Sequence, residues 1–485
     1  MSDTKTMKRT KIVCTLGPAV DDVKTLSRVC MAGMDVARFN FSHGDYTDQQ
    51  KRIDLFKSVR DELHLPIAMM LDTKGPEIRI GTFVEKSVYL EDDSEFILAH
   101  DICDGTKDKV YVNYETLYAE VNIGSTILIN DGLIELKVEE IINKDIKCRV
   151  IHGGKLTNRK SVNVPGLSLN FPLMTEKDKA DITFGVEQGF DLIAASFIRK
   201  AEDVLAIKKL LRELGAPHIN IIAKIENQEG VTNFDSILEV ADGIMVARGD
   251  LGVEIPMEKV PAIQKAFIDK CNKKGKLVIV ATQMLESMTN SPRPTRAEVN
   301  DVANAVYDGT TAVMLSGEVA AGNFPVECVK MMAQITRTVE NEIDYWDRFS
   351  KLDESYLVEN RSNMIIGHVL CELAMQTEAK AIFSLSSGGH TPRAIASFKP
   401  SCPIYVITPN EATARRLNAT WNVVPILVEE SDSGEEMIKK GIQLAKENNY
   451  IFDGDTIIIG DSDTYSKANL LGVSKSKKVG GIYVV

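Results

Sequence analysis

Residues 220–247 read NIIAKIENQEGVTNFDSILEVADGIMVA. The two ends, 220–223 and 243–247, are short continuous apolar runs, and the residues between them read as helix. Continuous hydrophobicity, in place of alternation, is what a parallel strand covered on both faces shows. The same unit recurs on either side, with further runs at 11–16, 35–41, 66–71, 191–196, 277–281 and 311–315, each closing on polar residues. Eight such runs with helices between them match the count of a (β/α)8 or TIM barrel, an α/β fold. Thr295-Arg296-Ala297-Glu298 has capping-box spacing and predicts a helix that stops near Gly309. Thr175-Glu176-Lys177-Asp178 starts a similar helix that stops near Gly189.

Two intervals depart from this alternation. Between residues 77 and 172 the runs at 95–98, 109–112, 125–130, 133–139 and 147–151 favour strands without helices between them, and Asp131-Gly132 is a hairpin turn. This predicts a small inserted β domain, of β-barrel type, after the third barrel strand. From about residue 345 a helix is followed by runs at 381–385, 403–408, 424–427 and 456–459, with helical segments between most of them. The expected organisation is a barrel from 1–76 and 173–344, an insert at 77–172 and a C-terminal α/β domain at 345–485. About three domains also suit 485 residues at roughly 150 residues each.

Lys plus Arg number 57 against 69 for Asp plus Glu, a net charge of −12. That excludes a broad nucleic-acid or anionic-membrane surface, so basic residues gathered in one place have local work, most readily on phosphates. Residues 1–10 lack the apolar core of a signal peptide, and no run approaches the roughly 20 apolar residues that span a bilayer. The cytoplasm is the expected location. The eight Cys are scattered without metal spacing and read as reduced thiols.

In a barrel enzyme the chemistry sits at the C-terminal ends of the strands. Here the runs end in Arg38-Phe39-Asn40-Phe41-Ser42-His43, Asp72-Thr73-Lys74-Gly75, Lys224-Ile225-Glu226, Arg248-Gly249-Asp250, Thr282-Gln283 and Ser316-Gly317-Glu318. Lys224 and Glu226 are two apart, so an extended segment points both to one side. One can meet phosphate while the other meets metal; a bare ion pair is the alternative, but it would not explain Asp250 and the flanking motif. Arg38 offers donors in a fixed fork suited to phosphate. Gly249 and Gly252 let backbone approach a ligand. No G-x-x-x-x-G-K-[ST] is present, which excludes a P-loop.

From Cys14-Thr15-Leu16-Gly17-Pro18 to Leu315-Ser316-Gly317-Glu318 these segments resemble the motifs of the pyruvate kinase family, in that family's order and over nearly the whole chain. The resemblance implies phosphoryl transfer from phosphoenolpyruvate to ADP in glycolysis. It implies Mg²⁺ (or Mn²⁺) on Glu226 and Asp250, a count that fits the one or two carboxylates this ion takes, and K⁺ on Asn40, Ser42, Asp72 and Thr73. Arg38, Lys224, Gly249, Asp250 and Thr282 would hold the substrate. Lys224 would stabilise charge on the phosphoryl and the enolate. Thr282 would serve the protonation of the enolate through water, with Ser316 a weaker candidate. Pro18, Asn40, His43, Arg79 and Lys160 would bind ADP, although Ser161 stands where the family commonly has Gly. The insert is expected to close as a lid. Glu77 goes with a K⁺ requirement in the family. Family members are typically homotetramers.

Ser386-Ser387-Gly388-Gly389-His390-Thr391 resembles the family's loop for an effector phosphate, and hydroxyls, bared N–H groups and a following helix suit a phosphorylated metabolite. The segment 463–478, with Lys475, Lys477 and Lys478, departs from the family's second effector loop. Two other readings are an aldolase- or mutase-like barrel acting on a metal-bound enolate, which needs no ADP site, and a catalytically silent regulatory relative.

Overall fold

The computed structural model describes residues 7–167, 169–352, 362–461 and 481–484. Eight parallel strands close into a barrel: β1 Lys11–Thr15, β2 Val36–Asn40, β3 Ala68–Asp72, β4 Leu192–Ala195, β5 Asn220–Ile225, β6 Gly243–Ala247, β7 Leu277–Ala281 and β8 Ala312–Leu315. Each lies within two residues of a predicted run at either end. β1 pairs with both β2 and β8, which completes the ring.

The absence of alternation has a direct cause. Val13 points into the barrel, where it joins Val36, Met70, Ile222, Met245 and Met314, while its neighbours Ile12 and Cys14 join the layer between strands and helices. Both faces are dry, so both carry apolar side chains. Both predicted capping boxes form. The Thr175 and Thr295 hydroxyls accept from the Asp178 and Glu298 N–H groups, and those carboxylates accept in return, starting helices Glu176–Glu187 and Arg296–Tyr307. Gly189 and Gly309, both at positive φ, follow their ends.

The insert holds a seven-stranded sheet around its own core, which includes Phe96, Leu98, Ile127, Leu136 and Val150. Asn130, Asp131 and Gly132 all take positive φ at its predicted hairpin. A one-turn helix, Leu117–Glu120, interrupts the all-strand reading. In the C-terminal domain Val423–Leu427, Ile404–Thr408, Ala381–Leu385 and Thr456–Asp461 form a parallel sheet in that order, and Gly481–Val484 adds an antiparallel edge that the sequence reading lacked. Lys475, Lys477 and Lys478 lie outside the described residues.

The C-terminal domain docks on the N-terminal ends of the barrel strands. Lys11 Nζ donates to Val423 O at 2.8 Å, Asn418 Nδ2 donates to Asp35 O at 3.1 Å, and Arg415 pairs with Asp191 at 3.1 Å. The opposite end is thereby left to the insert. Among the described residues no helix is long and apolar enough to cross a membrane.

Candidate active site

At the C-terminal end of the barrel, β3 delivers Asp72, β5 delivers Lys224 and, one residue past its end, Glu226, and the turn after β4 delivers Ser196. Lys224 Nζ stands 2.9 Å from Glu226 Oε1 and 3.2 Å from Asp72 Oδ1, and donates to Ser196 Oγ at 2.7 Å. Arg38, from β2, donates through Nε to Asp72 Oδ2 and through Nη1 to Thr15 Oγ1, both at 2.7 Å. Arg38, Asp72, Lys224 and Glu226 are all buried.

Burial opposes every one of these charges, so pairing must hold them. Burial would lower the Lys224 pKa, but Asp72 and Glu226 outweigh it and raise it. Burial pushes Asp72 up, and Arg38 and Lys224 more than reverse the push. Glu226 is different: burial raises it to about 7 despite Lys224, with Asp250 adding repulsion and the Phe197 N–H, 2.5 Å from Oε2, opposing. Asp250 reaches the water of the cleft, yet enough protein surrounds it that desolvation, ahead of repulsion from Asp131 and Asp72, raises its carboxyl against the pull of Lys224. The site therefore holds more negative charge than its cations neutralise.

The strand ends here also hold strained backbone. Phe197, Thr282 and Gln283 take φ of 55°, 69° and 54°, a region that β-branched and bulky residues avoid. The Thr282 hydroxyl accepts from the Gly249 N–H at 2.8 Å and donates to Ala281 O at 2.6 Å. A short helix, Arg248–Glu254, follows β6 directly and carries Gly249 and Asp250.

A cavity of about 1510 Å³ lies between barrel and insert. Of the predicted residues its wall carries Arg79, Lys160, Gly249, Asp250, Thr282 and Ser316, while Arg38, Asp72, Lys224 and Glu226 are buried at the barrel end. Ser316 Oγ is buried with no hydrogen-bond partner. Pro18, Ser42 and His43 are exposed on the loops after β1 and β2, outside the described wall. Asn40 Oδ1 accepts from the Ser42 N–H at 3.0 Å, and Thr73 Oγ1 accepts from the Ser196 N–H at 3.1 Å. Arg79 pairs with Glu77 at 2.8 Å and donates to Arg159 O at 2.6 Å.

Sequence reasoning missed four contributors. Ser196 and Phe197 ligate the Lys224–Glu226 pair; Asp131 was read only as a turn residue; and Asn163 Nδ2 latches the insert to the barrel through Glu254 Oε1 at 2.8 Å. The polar exit Ser196 was visible, but its partners are distant in sequence. In the C-terminal domain Ser386 Oγ accepts from the Gly389 N–H at 2.9 Å. Gly388 and His390 are exposed there, whereas Ser386 and Thr391 are buried.

Two family models match: "Pyruvate kinase, barrel domain" over residues 7–329 and "Pyruvate kinase, alpha/beta domain" over residues 365–474. The pyruvate kinase of Clostridium acetobutylicum is 46% identical over 454 residues, which cover 93% of this chain and 96% of that one. That of Bacillus licheniformis is 46% identical over 482 residues, covering 99% and 81%. Among solved structures, a pyruvate kinase from Cryptosporidium parvum superposes with a TM-score of 0.91 at 37% identity, covering 100% of this chain and 97% of that one.

Proposed function

The chain belongs to the pyruvate kinase family, and from that premise we propose that it moves the phosphoryl group of phosphoenolpyruvate onto ADP, giving pyruvate and ATP, with the residue roles that follow. One observation carries the assignment: a lysine buried between Asp72 and Glu226, beside Asp250, at the barrel end under a lid-covered cavity. Phosphoryl transfer asks a protein chiefly for positioning and for charge placed where charge develops. Lys224 supplies that charge to the transferring phosphoryl and to the enolate oxygen left behind. Arg38, its guanidinium fixed by Asp72 and Thr15, orients the phosphate.

Glu226 and Asp250 would hold magnesium, and the donor set fits, since the one lysine shared with Asp72 does not offset the burial of these two acids. When bound, the ion neutralises phosphoryl oxygens. Asn40, Ser42, Asp72 and Thr73, oxygen donors from adjacent strand ends, would hold potassium. Thr282 gives its own hydroxyl proton to Ala281 O, so it orients a water that protonates the enolate and is not itself the acid. Lys160 and Arg79 on the cavity wall, with Pro18, Asn40 and His43, would take ADP. The insert excludes water while the phosphoryl moves.

The same reading extends to a homotetramer, and to activation by a phosphorylated metabolite at 386–391, where Arg393 adds positive charge near His390. Because Thr391 is buried, the exposed His390 is the better probe, and His390→Glu is expected to abolish the activation. The decisive experiment is a coupled assay for ADP-dependent pyruvate formation, with and without Mg²⁺ and K⁺. Pyruvate release that ignores ADP would overturn the kinase reading in favour of an enolate aldolase or mutase.

A further inference from the structure

Arg248 is the first residue after β6, and its guanidinium lies in the cavity wall with the side chain only 12% exposed. It turns sideways to β7. Nη2 donates to Thr282 O at 2.6 Å, Nε to Ala281 O at 3.3 Å, and Nη1 to Asp301 Oδ1 at 2.7 Å. Asp301 sits on helix Arg296–Tyr307, which follows β7. One planar cation thus ties two successive carbonyls at the end of β7 to the helix that follows it.

Those carbonyls belong to the strained turn. Left-handed backbone at Thr282 and again at Gln283 is strained and persists only where surrounding structure imposes it. The two bonds of the Thr282 hydroxyl fix its side chain, whereas the carbonyl contacts, with the Met284 Sδ that the same guanidinium reaches at 2.8 Å, fix the direction of the chain. A guanidinium can serve two acceptors while a carboxylate holds its remaining nitrogen; an ammonium has no such fork. Asp301 aims that fork.

We propose that Arg248 and Asp301 are positioning residues that hold Thr282 in its left-handed conformation and so set where its hydroxyl stands against the substrate. The inference rests on the role given to Thr282 above. Arg248 acts through Thr282 and touches no reacting atom.

The test is a double-mutant cycle in the full chain, with kcat and the KM for phosphoenolpyruvate measured for Arg248→Met, Thr282→Ala and the two together. Arg248→Met is expected to lower kcat about tenfold to a hundredfold, with KM within about threefold. In the Thr282→Ala background the same change should alter kcat less than about twofold, because the group it positions is gone. Losses that multiply in the double variant, or a wild-type kcat in Arg248→Met, would overturn the proposal. If Arg248→Met fails to fold, the near-isosteric Asp301→Asn takes its place in the cycle, with a smaller loss and the same non-additivity. Should the wild type itself transfer no phosphoryl group, the reaction assignment falls, and a crystal structure of Arg248→Met decides the positioning claim alone. Thr282 returning to negative φ supports it; Thr282 staying left-handed refutes it.

Discussion

The two ends of the barrel both bury carboxylates, and they treat them in opposite ways. At the N-terminal end a residue just before each even-numbered strand reaches back to the strand before it. Asp35 accepts from the Ile12 N–H, Asp191 from Met69, Asp242 from Ile221, and the Thr311 hydroxyl from Val278, at 2.7–3.2 Å. Cations complete the arrangement: Lys8 and Lys11 at Asp35, Arg415 at Asp191, and Lys208 at Asp242. At the C-terminal end the acids share one lysine and one arginine, Glu226 and Asp250 are pushed upward, and three residues hold left-handed backbone. One end gives each clamping acid a cation of its own and closes the fold, although burial still raises the Asp191 carboxyl against the pull of Arg415. The other is left short of positive charge, which is the condition for binding cations and, through them, phosphates.

The sharpest way to break this contrast is Lys224→Met. With the charge gone where negative charge develops, kcat should fall at least ~10²-fold, about 3 kcal/mol or more. A folded variant with near-wild-type turnover would mean that the C-terminal end is as structural as the other. The reciprocal change is Arg415→Met, which leaves Asp191 buried without its cation. It should lower stability by about 2 kcal/mol, seen as a lower melting temperature, with kcat little changed. An unaltered melting temperature would remove the docking role given to this pair.

Glu77→Lys adds positive charge near the cleft and frees Arg79 from its ion pair. The stimulation of activity by K⁺ should shrink by on the order of fivefold, about 1 kcal/mol of charge interaction. Equal K⁺ dependence in variant and wild type would sever Glu77 from the cation.

The smallest effect concerns Lys399, whose ammonium lies 4.6 Å from the centre of the Trp421 ring and whose pKa burial lowers to about 7, against the pull of Glu340. In the unfolded chain a lysine titrates near 10.4. Below pH 7 both states carry the charge, so its full burial cost is present; between pH 7 and 10.4 only the unfolded state binds the proton, and the cost fades as pH rises. Lys399→Met should therefore stabilise the protein at pH 6, by on the order of 1 kcal/mol, and progressively less toward pH 10. A gain that does not vary with pH would locate the cost in packing.

The barrel was legible because both faces of its strands are dry, so each strand is written as an unbroken apolar run. The N-terminal end was half legible: Asp35, Asp191 and Thr311 open three of the runs and Asp242 immediately precedes a fourth, although nothing local says which strand each will clamp. Lys224 and Glu226 were legible through strand geometry, and the family resemblance placed Asp72 and Arg38 among the site residues. Ser196, Asn163 and Arg248 were not, because each acts on a partner far away in sequence. Thr282 was chosen for its hydroxyl, while its backbone was invisible: a β-branched residue argues against left-handed φ, and only tertiary contacts override that preference.

The Asn163–Glu254 contact sets the rhythm of the cleft. A single hydrogen bond is worth about 1 kcal/mol net, so this contact by itself biases a closed over an open insert by roughly fivefold, beside the bonds of Arg199 to the carbonyls of Leu169, Phe171 and Pro172 at the end of the insert. That latch alone is too weak to keep a nucleotide out of the cleft. Contacts to bound substrates must supply whatever further closure the chemistry requires, and once the products separate that bias vanishes, so the latch does not delay their escape.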